Sequence, residues 1–191
     1  MMVTKMTETP ATAAAREREL MSDSCLERVE LDPLIFGPDQ QCFGCGPNNP
    51  IGLKLRFARE GESVVTTFTP TTGQDGPPGI FHGGLQATLC DEVAGWGLVG
   101  LLGRMGFTTS MNVRYMRPVR LDIPVEARAK IASQSADIVT LKVTLSQEGK
   151  VGCLARVSYA LPSVEEAEHT MQRPMDPSWA PLFGGQDEPD A

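Results

Sequence analysis

Two carboxylates sit where the chain has least use for charge. Between His82 and Arg104 only Asp91 and Glu92 can ionise, and the run around them is apolar on almost every side. Leu85, Ala87, Leu89, Val93, Ala94, Trp96, Leu98, Val99, Leu101 and Leu102 cover the whole helical wheel. Burying a carboxylate without a partner costs several kcal/mol or neutralises it, so an acid here marks a candidate reactive centre. The run is entered through GPPGIFHGG, a Pro/Gly turn that leads into a His82-Gly83-Gly84 corner. Glu92 lies about 100° round the helix from Asp91 and reads as structural. Farther upstream, Cys42-Phe-Gly-Cys45 has the spacing of a zinc or redox motif. A structural zinc site needs four ligands, and no second CxxC or HxxxH exists; Cys25 is isolated and His169 lies in the tail. A tight turn with no metal is the expectation there.

The element that must carry Asp91 is therefore a helix hydrophobic all round, which is buried either in a sheet or in a membrane. A membrane span fails twice. Charge near the middle of such a run costs about 2.5–3.5 kcal/mol on insertion scales. The uninterrupted part, Val93–Leu102, is far short of the roughly 20 residues needed to cross. Gly95, Gly97, Gly100 and Gly103 each weaken an isolated helix by about 1 kcal/mol. They also admit another backbone at close range, which suits a helix wrapped by a sheet.

A chain of 191 residues with 41% hydrophobic residues and a formal charge of −7 suits one domain with a sizeable core. No strongly basic patch appears, so nucleic acid is not an expected partner. Five cysteines and a charged, h-region-free start (ATAAAREREL) make a reducing cytoplasm the expected location.

Residues 1–41 read as an N-terminal arm, with a short helix around Ala13–Met21 and apolar positions Leu31, Leu34, Ile35 and Phe36 that pack on the domain edge. The domain proper spans 42–161. Its opening, CFGCGPNNP, is turn chemistry; Leu53, Leu55 and Phe57 then alternate with Lys54 and Arg56 as in a half-buried strand. The tetrad GESV leads into a second strand, Val64–Phe68, to make a hairpin. After the helix come four alternating runs, Phe107–Tyr115, Pro124–Ala132, Ile138–Leu145 and Lys150–Leu161, with breaks that suit consecutive antiparallel strands. Residues 162–191 read as a Pro- and acid-rich tail that Trp179, Leu182 and Phe183 could tack down. Two strands, one buried helix and four strands satisfy each other only if the sheet curls around the helix. The fold class is thus α+β, a hotdog fold with an antiparallel β-sheet curled around one long buried central helix. One helix face and a sheet edge stay uncovered, so pairing about a two-fold axis, as a homodimer or dimer of dimers, is expected.

With its GPPGIFHGGLQATLCDE and TTSMNVRYMRP segments, the chain resembles the hotdog acyl-coenzyme A thioesterases of the phenylacetate-pathway type. It is similar above all to the mitochondrial long-chain acyl-CoA branch with GPPG before its HGG. The resemblance covers about Leu53 to Leu161 and implies hydrolysis of an acyl-CoA thioester by water, without a cofactor. It implies that Gly83, with Gly84, offers backbone N–H groups at a helix N-terminus to the thioester oxygen, with His82 positioning the corner. Asp91 would activate the water or attack the carbonyl, and Thr108 would hold the water or the carboxylate. Several family members place an Asn about six residues before the HGG; Gly76 stands there here, with Gln74 as a substitute donor. Arg117, with Arg114 and Arg120, either meets the coenzyme A phosphates or forms a solvated face.

Spacing adds one constraint of its own. Gly84 and Asp91 share a helix face but lie about 10 Å apart along the axis. One thioester carbon cannot touch both, so the site is expected to be shared between subunits. Two other readings stand beside hydrolysis: an acyl-CoA hydratase or dehydratase, which needs a His base, and a non-catalytic acyl-CoA-binding module.

Overall fold

A computed structural model of the chain describes residues 27–184. The short helix read around Ala13–Met21, Cys25 and the last residues of the tail lie outside them. The strands are β1 (Arg28–Glu30), β2 (Ala58–Glu60), β3 (Ser63–Phe68), β4 (Phe107–Tyr115), β5 (Val125–Gln134), β6 (Ile138–Gln147) and β7 (Lys150–Ala160); the helices are α1 (Gly83–Leu102), α2 (Val164–Met171) and α3 (Ala180–Phe183). The strands form one seven-stranded sheet in the order β1-β2-β3-β5-β6-β7-β4, and every pairing is antiparallel. The sheet curls around α1, which packs on β2 through β7.

His82 caps the start of α1, and Gly103, in the left-handed region (φ 61°), ends it by donating to the carbonyls of Leu98 and Val99. Leu89, Val93, Ala94 and Leu98 bury against Val139, Leu141, Val143, Leu145 and Val157. Trp96 stacks on Phe57 with centroids 4.9 Å apart and meets Phe36 edge-on at 5.7 Å. Gly97 shows why the helix tolerates a poor helix former: a Cβ there would lie 2.5 Å from Leu141 Cδ2. The helix therefore sits closer to β6 than a side chain would allow.

Periodicity placed β3 to β7 and α1 within a few residues. It misjudged the segment before them. Leu53, Leu55 and Phe57 are buried and Lys54 and Arg56 exposed, as their alternation indicated, yet the ladder begins only at Ala58. The Leu53 and Leu55 amides instead donate to the carbonyls of Phe43 and Gly44, at 2.8 and 2.9 Å, so the CxxC turn takes the place of a strand partner. The extra strand β1, three exposed residues without alternation, pairs with β2 at the sheet edge.

The segment after β7 folds back on the domain. Ser163 and Glu166 form a capping box at the start of α2. Ala167, Met175, Leu182 and Phe183 bury together against Phe36, Met105 and Phe107, and Met105 N–H donates to the Leu182 carbonyl at 2.7 Å. The three residues read as tacks do that work. At the opposite edge β4 is exposed along most of its length, with Met111 and Tyr115 open. Among the described residues no helix is long and apolar enough to cross a membrane.

Candidate active site

Asp91 sits in the third turn of α1, where the helix packs over the paired strands β4 and β7. Its Oδ1 accepts from Thr108 Oγ1 at 2.9 Å and from Tyr159 OH at 2.9 Å, and the same tyrosine also donates to the Asp91 carbonyl at 2.8 Å. Burial, reinforced by the Asp91 charge, pushes the Tyr159 phenol well above its ordinary range. At any working pH it is a donor. Both hydrogen bonds reach one carboxylate oxygen, which leaves Oδ2 free to act as acceptor.

Thr108 reaches Asp91 because β4 is bulged. Across β7 the register runs Met111 to Val157 and Ser110 to Ser158, then jumps to Thr108 opposite Tyr159. A regular ladder would place Thr109 there. The bulge puts one extra residue in β4, so Thr108 instead of Thr109 shares a face with Tyr159, while Thr109 Oγ1 donates to the Ser158 carbonyl.

A cavity of about 710 Å³ opens beside this carboxylate. Asp91, Glu92, Thr108, Tyr159, Cys42 and Cys45 line it, and Phe36, Trp96 and Trp179 supply apolar wall. Gln74, His82, Gly83 and Gly84 line no part of it. They gather at the helix N-terminus. There His82 Nδ1 accepts from Gly84 N–H at 3.0 Å, so the ring serves as the helix cap and the Gly84 donor is spent on it. Gly83 N–H has no acceptor among the described residues, while its carbonyl accepts from Tyr115 OH at 2.7 Å. Of the two glycine amides, Gly83 alone is left to offer an oxyanion.

The Gln74 carbonyl accepts from His82 N–H at 2.9 Å and its Oε1 accepts from Thr71 N–H. Its side-chain amide group has no partner among the described residues. Arg117 lies elsewhere, in a groove with Arg120 and Lys150, where its guanidinium donates to the Val151 carbonyl at 2.9 Å.

Tyr159 and a contact made by Glu92 escaped the sequence reading. Tyr159 looked like one more apolar position of β7; it is one of only two tyrosines in the chain, and both donate to α1. A lone hydroxyl in an otherwise aliphatic alternation was the available signal. Glu92, read as structural, meets the CxxC turn: its Oε1 lies 3.2 Å from Cys42 Sγ. Hydrogen bonds from the Cys45 thiol and N–H draw Cys42 down to about 5, and burial pushes the Glu92 carboxyl up to about 8. The pair meets across 50 residues of sequence, a contact no local pattern announces.

If Asp91 acts on a bound molecule, each donor to Oδ1 orients it. Tyr159→Phe and Thr108→Ala are each expected to lower kcat by about 10- to 100-fold, the worth of a hydrogen bond to a charged group, with KM little changed. Steady-state kinetics on folded variants check this; full activity in both would show that the clamp is structural.

The thioesterase superfamily family model matches residues 78–154. Acyl-coenzyme A thioesterase THEM4 of Xenopus laevis is 37% identical over 68 residues, which cover 36% of this chain and 30% of that protein. The match thus spans about a third of that relative's length. Among solved structures, a thioesterase superfamily protein superposes with a TM-score of 0.60 at 24% identity, covering 82% of this chain and 81% of its own. Zebra fish thioesterase superfamily member 2 gives 0.54 at 21% identity, covering 60% and 89%. Thioesterase superfamily member 2 of Mus musculus gives 0.53 at 24%, covering 57% and 84%. These structures share the fold. The family model runs from the turn before α1 into β7, so the similarity to thioesterases in sequence is confined to that stretch, while the shared fold extends over more of the chain.

Proposed function

We propose that the chain hydrolyses an acyl-CoA thioester at a site shared by two protomers. One observation carries the reading: the Asp91 carboxylate, clamped on one oxygen by Thr108 and Tyr159, faces a cavity large enough for an acyl group. Asp91 takes a proton from water, the hydroxide adds to the thioester carbon, and the C–S bond breaks as that proton passes to the departing sulfur, releasing the acid and the CoA thiol. The negative oxygen that develops is met by Gly83 N–H at the positive end of α1. Within one chain that donor lies off the cavity, so it comes from the partner subunit, and the open β4 edge is where a second copy would extend the sheet. The basic groove of Arg117, Arg120 and Lys150 suits the phosphates of coenzyme A. A hydratase would need a histidine base, and His82 is committed as a helix cap. The likeness to an acyl-coenzyme A thioesterase of Xenopus laevis favours the same acyl-CoA chemistry.

Complementation tests both the reaction and the sharing. Gly83 is the first helical residue, where proline fits the helix and removes only the N–H. Gly83→Pro is expected to lower thiol release from acyl-CoAs by about 10²–10³-fold. Mixed with inactive Asp91→Asn chains, it should recover about a quarter of wild-type activity, because half of random dimers are mixed and each holds one intact site of two. No recovery would place donor and acid in one chain; no thiol release by the wild type from short, medium, long or aryl acyl-CoAs would remove the reading.

A further inference from the structure

The CxxC turn is more than a bend before a strand. Its backbone is held at every position: Cys42 O accepts from Gly46 N–H at 3.0 Å, and the carbonyls of Phe43 and Gly44 accept from Leu53 and Leu55. Asn49 Nδ2 ties it again through the Gln41 carbonyl at 3.0 Å. Within the turn Cys45 N–H donates to Cys42 Sγ at 3.5 Å, and both sulfurs converge on Glu92. Gly44 makes this approach possible, because a Cβ there would overlap the Glu92 carboxyl carbon.

Cys42 Sγ, Cys45 Sγ and a Glu92 oxygen all lie within 4.8 Å of one another. Around a tetrahedral zinc with Zn–S near 2.3 Å and Zn–O near 2.1 Å, adjacent sulfur and oxygen ligands stand about 3.6 Å apart. The observed Cys42–Glu92 separation of 3.2 Å is close to that. Glu92 forms no salt bridge among the described residues. The wall of the cavity carries four carboxylates and two thiols against one cationic side chain, Arg173, whose guanidinium lies over Trp179. Three convergent soft and hard donors, a rigid turn and a surplus of negative charge describe a cation site.

We propose that Cys42, Cys45 and Glu92 bind a zinc-class divalent ion, with the fourth coordination position open to the cavity that Asp91 also lines. Two thiolates select a soft borderline metal over magnesium or calcium. Three protein ligands and an open position are the pattern of a site that keeps a water or exchanges a ligand. The site is separate from the Asp91 clamp and does not depend on the hydrolase reading.

Cobalt(II) is the probe. Titrated into the reduced full-length protein, it should give a thiolate-to-cobalt charge-transfer band and tetrahedral d–d bands that saturate at one ion per chain and vanish on adding zinc. Cys42→Ser/Cys45→Ser should lose the charge-transfer band. Glu92→Gln should keep it but weaken binding by at least about 10-fold, the lower end of what even an outer partner of a ligand is worth. Gly44→Ala, which keeps all three ligand residues but pushes the Glu92 carboxyl aside, should weaken binding too. A wild type without the band at saturating cobalt overturns the proposal whether or not the variants fold. A band that survives in the double variant also overturns it, by assigning the metal to Cys90 and Cys153, the other described thiols.

Discussion

Asp91→Asn is expected to abolish thiol release while the fold and acyl-CoA binding persist. Asparagine keeps the shape, and its Oδ1 still accepts from Thr108 and Tyr159, so the clamp closes on a neutral group. What disappears is the negative oxygen that takes the proton from water. Loss of a general base costs about 10²–10⁴-fold in rate; loss of a nucleophile would cost at least as much. Thiol release and calorimetric binding of an unreactive acyl-CoA thioether, measured on the same preparation, separate chemistry from affinity. Hydrolysis at the wild-type rate would take Asp91 out of the reaction.

The second large effect concerns the contact between α1 and β6. Leu141 is fully buried under α1, and truncating such a leucine costs about 2–5 kcal/mol. Leu141→Ala should therefore remove much of the stability of a domain this size. Gly97→Ala sets up an informative pair. In the wild type the added methyl meets Leu141 Cδ2 at 2.5 Å, and overpacking costs about 1–3 kcal/mol, more than the roughly 1 kcal/mol that alanine gains over glycine in a helix. In the Leu141→Ala background the obstacle is gone, so the same substitution becomes stabilising by about 1 kcal/mol. Urea unfolding of the four proteins reads the cycle. A Gly97→Ala effect of the same sign in both backgrounds would show that helix and sheet are not in contact at this point.

The central helix and strands β3, β5, β6 and β7 could be read from the sequence because burial there is largely one-sided or complete, and periodicity records burial. The same logic explains the failures. Leu53 to Phe57 alternate as a strand does, but alternation reports which side chains are buried and not where the backbone amides go; here they go to the CxxC turn. The three residues of β1 are exposed and leave no pattern. The positions of Asp91 and Thr108 relative to each other came from resemblance, since the bulge that turns Thr108 inward adds one residue without any compositional mark. Tyr159 and the Cys42–Glu92 contact belong to long-range packing, which a one-dimensional pattern does not carry.

The bulge also divides β4 into two halves of opposite parity. From Ser110 to Tyr115 the side chains keep the phase dictated by the ladder with β7; Thr108 keeps the other. Substitutions along the outer half, where a second copy would dock, therefore leave the orientation of Thr108 toward Asp91 untouched, and deleting Thr109 would make the ladder regular with Thr108 still opposite Tyr159. A single surplus residue thus lets one strand turn Thr108 toward the central helix while Tyr115 stays open at its far end.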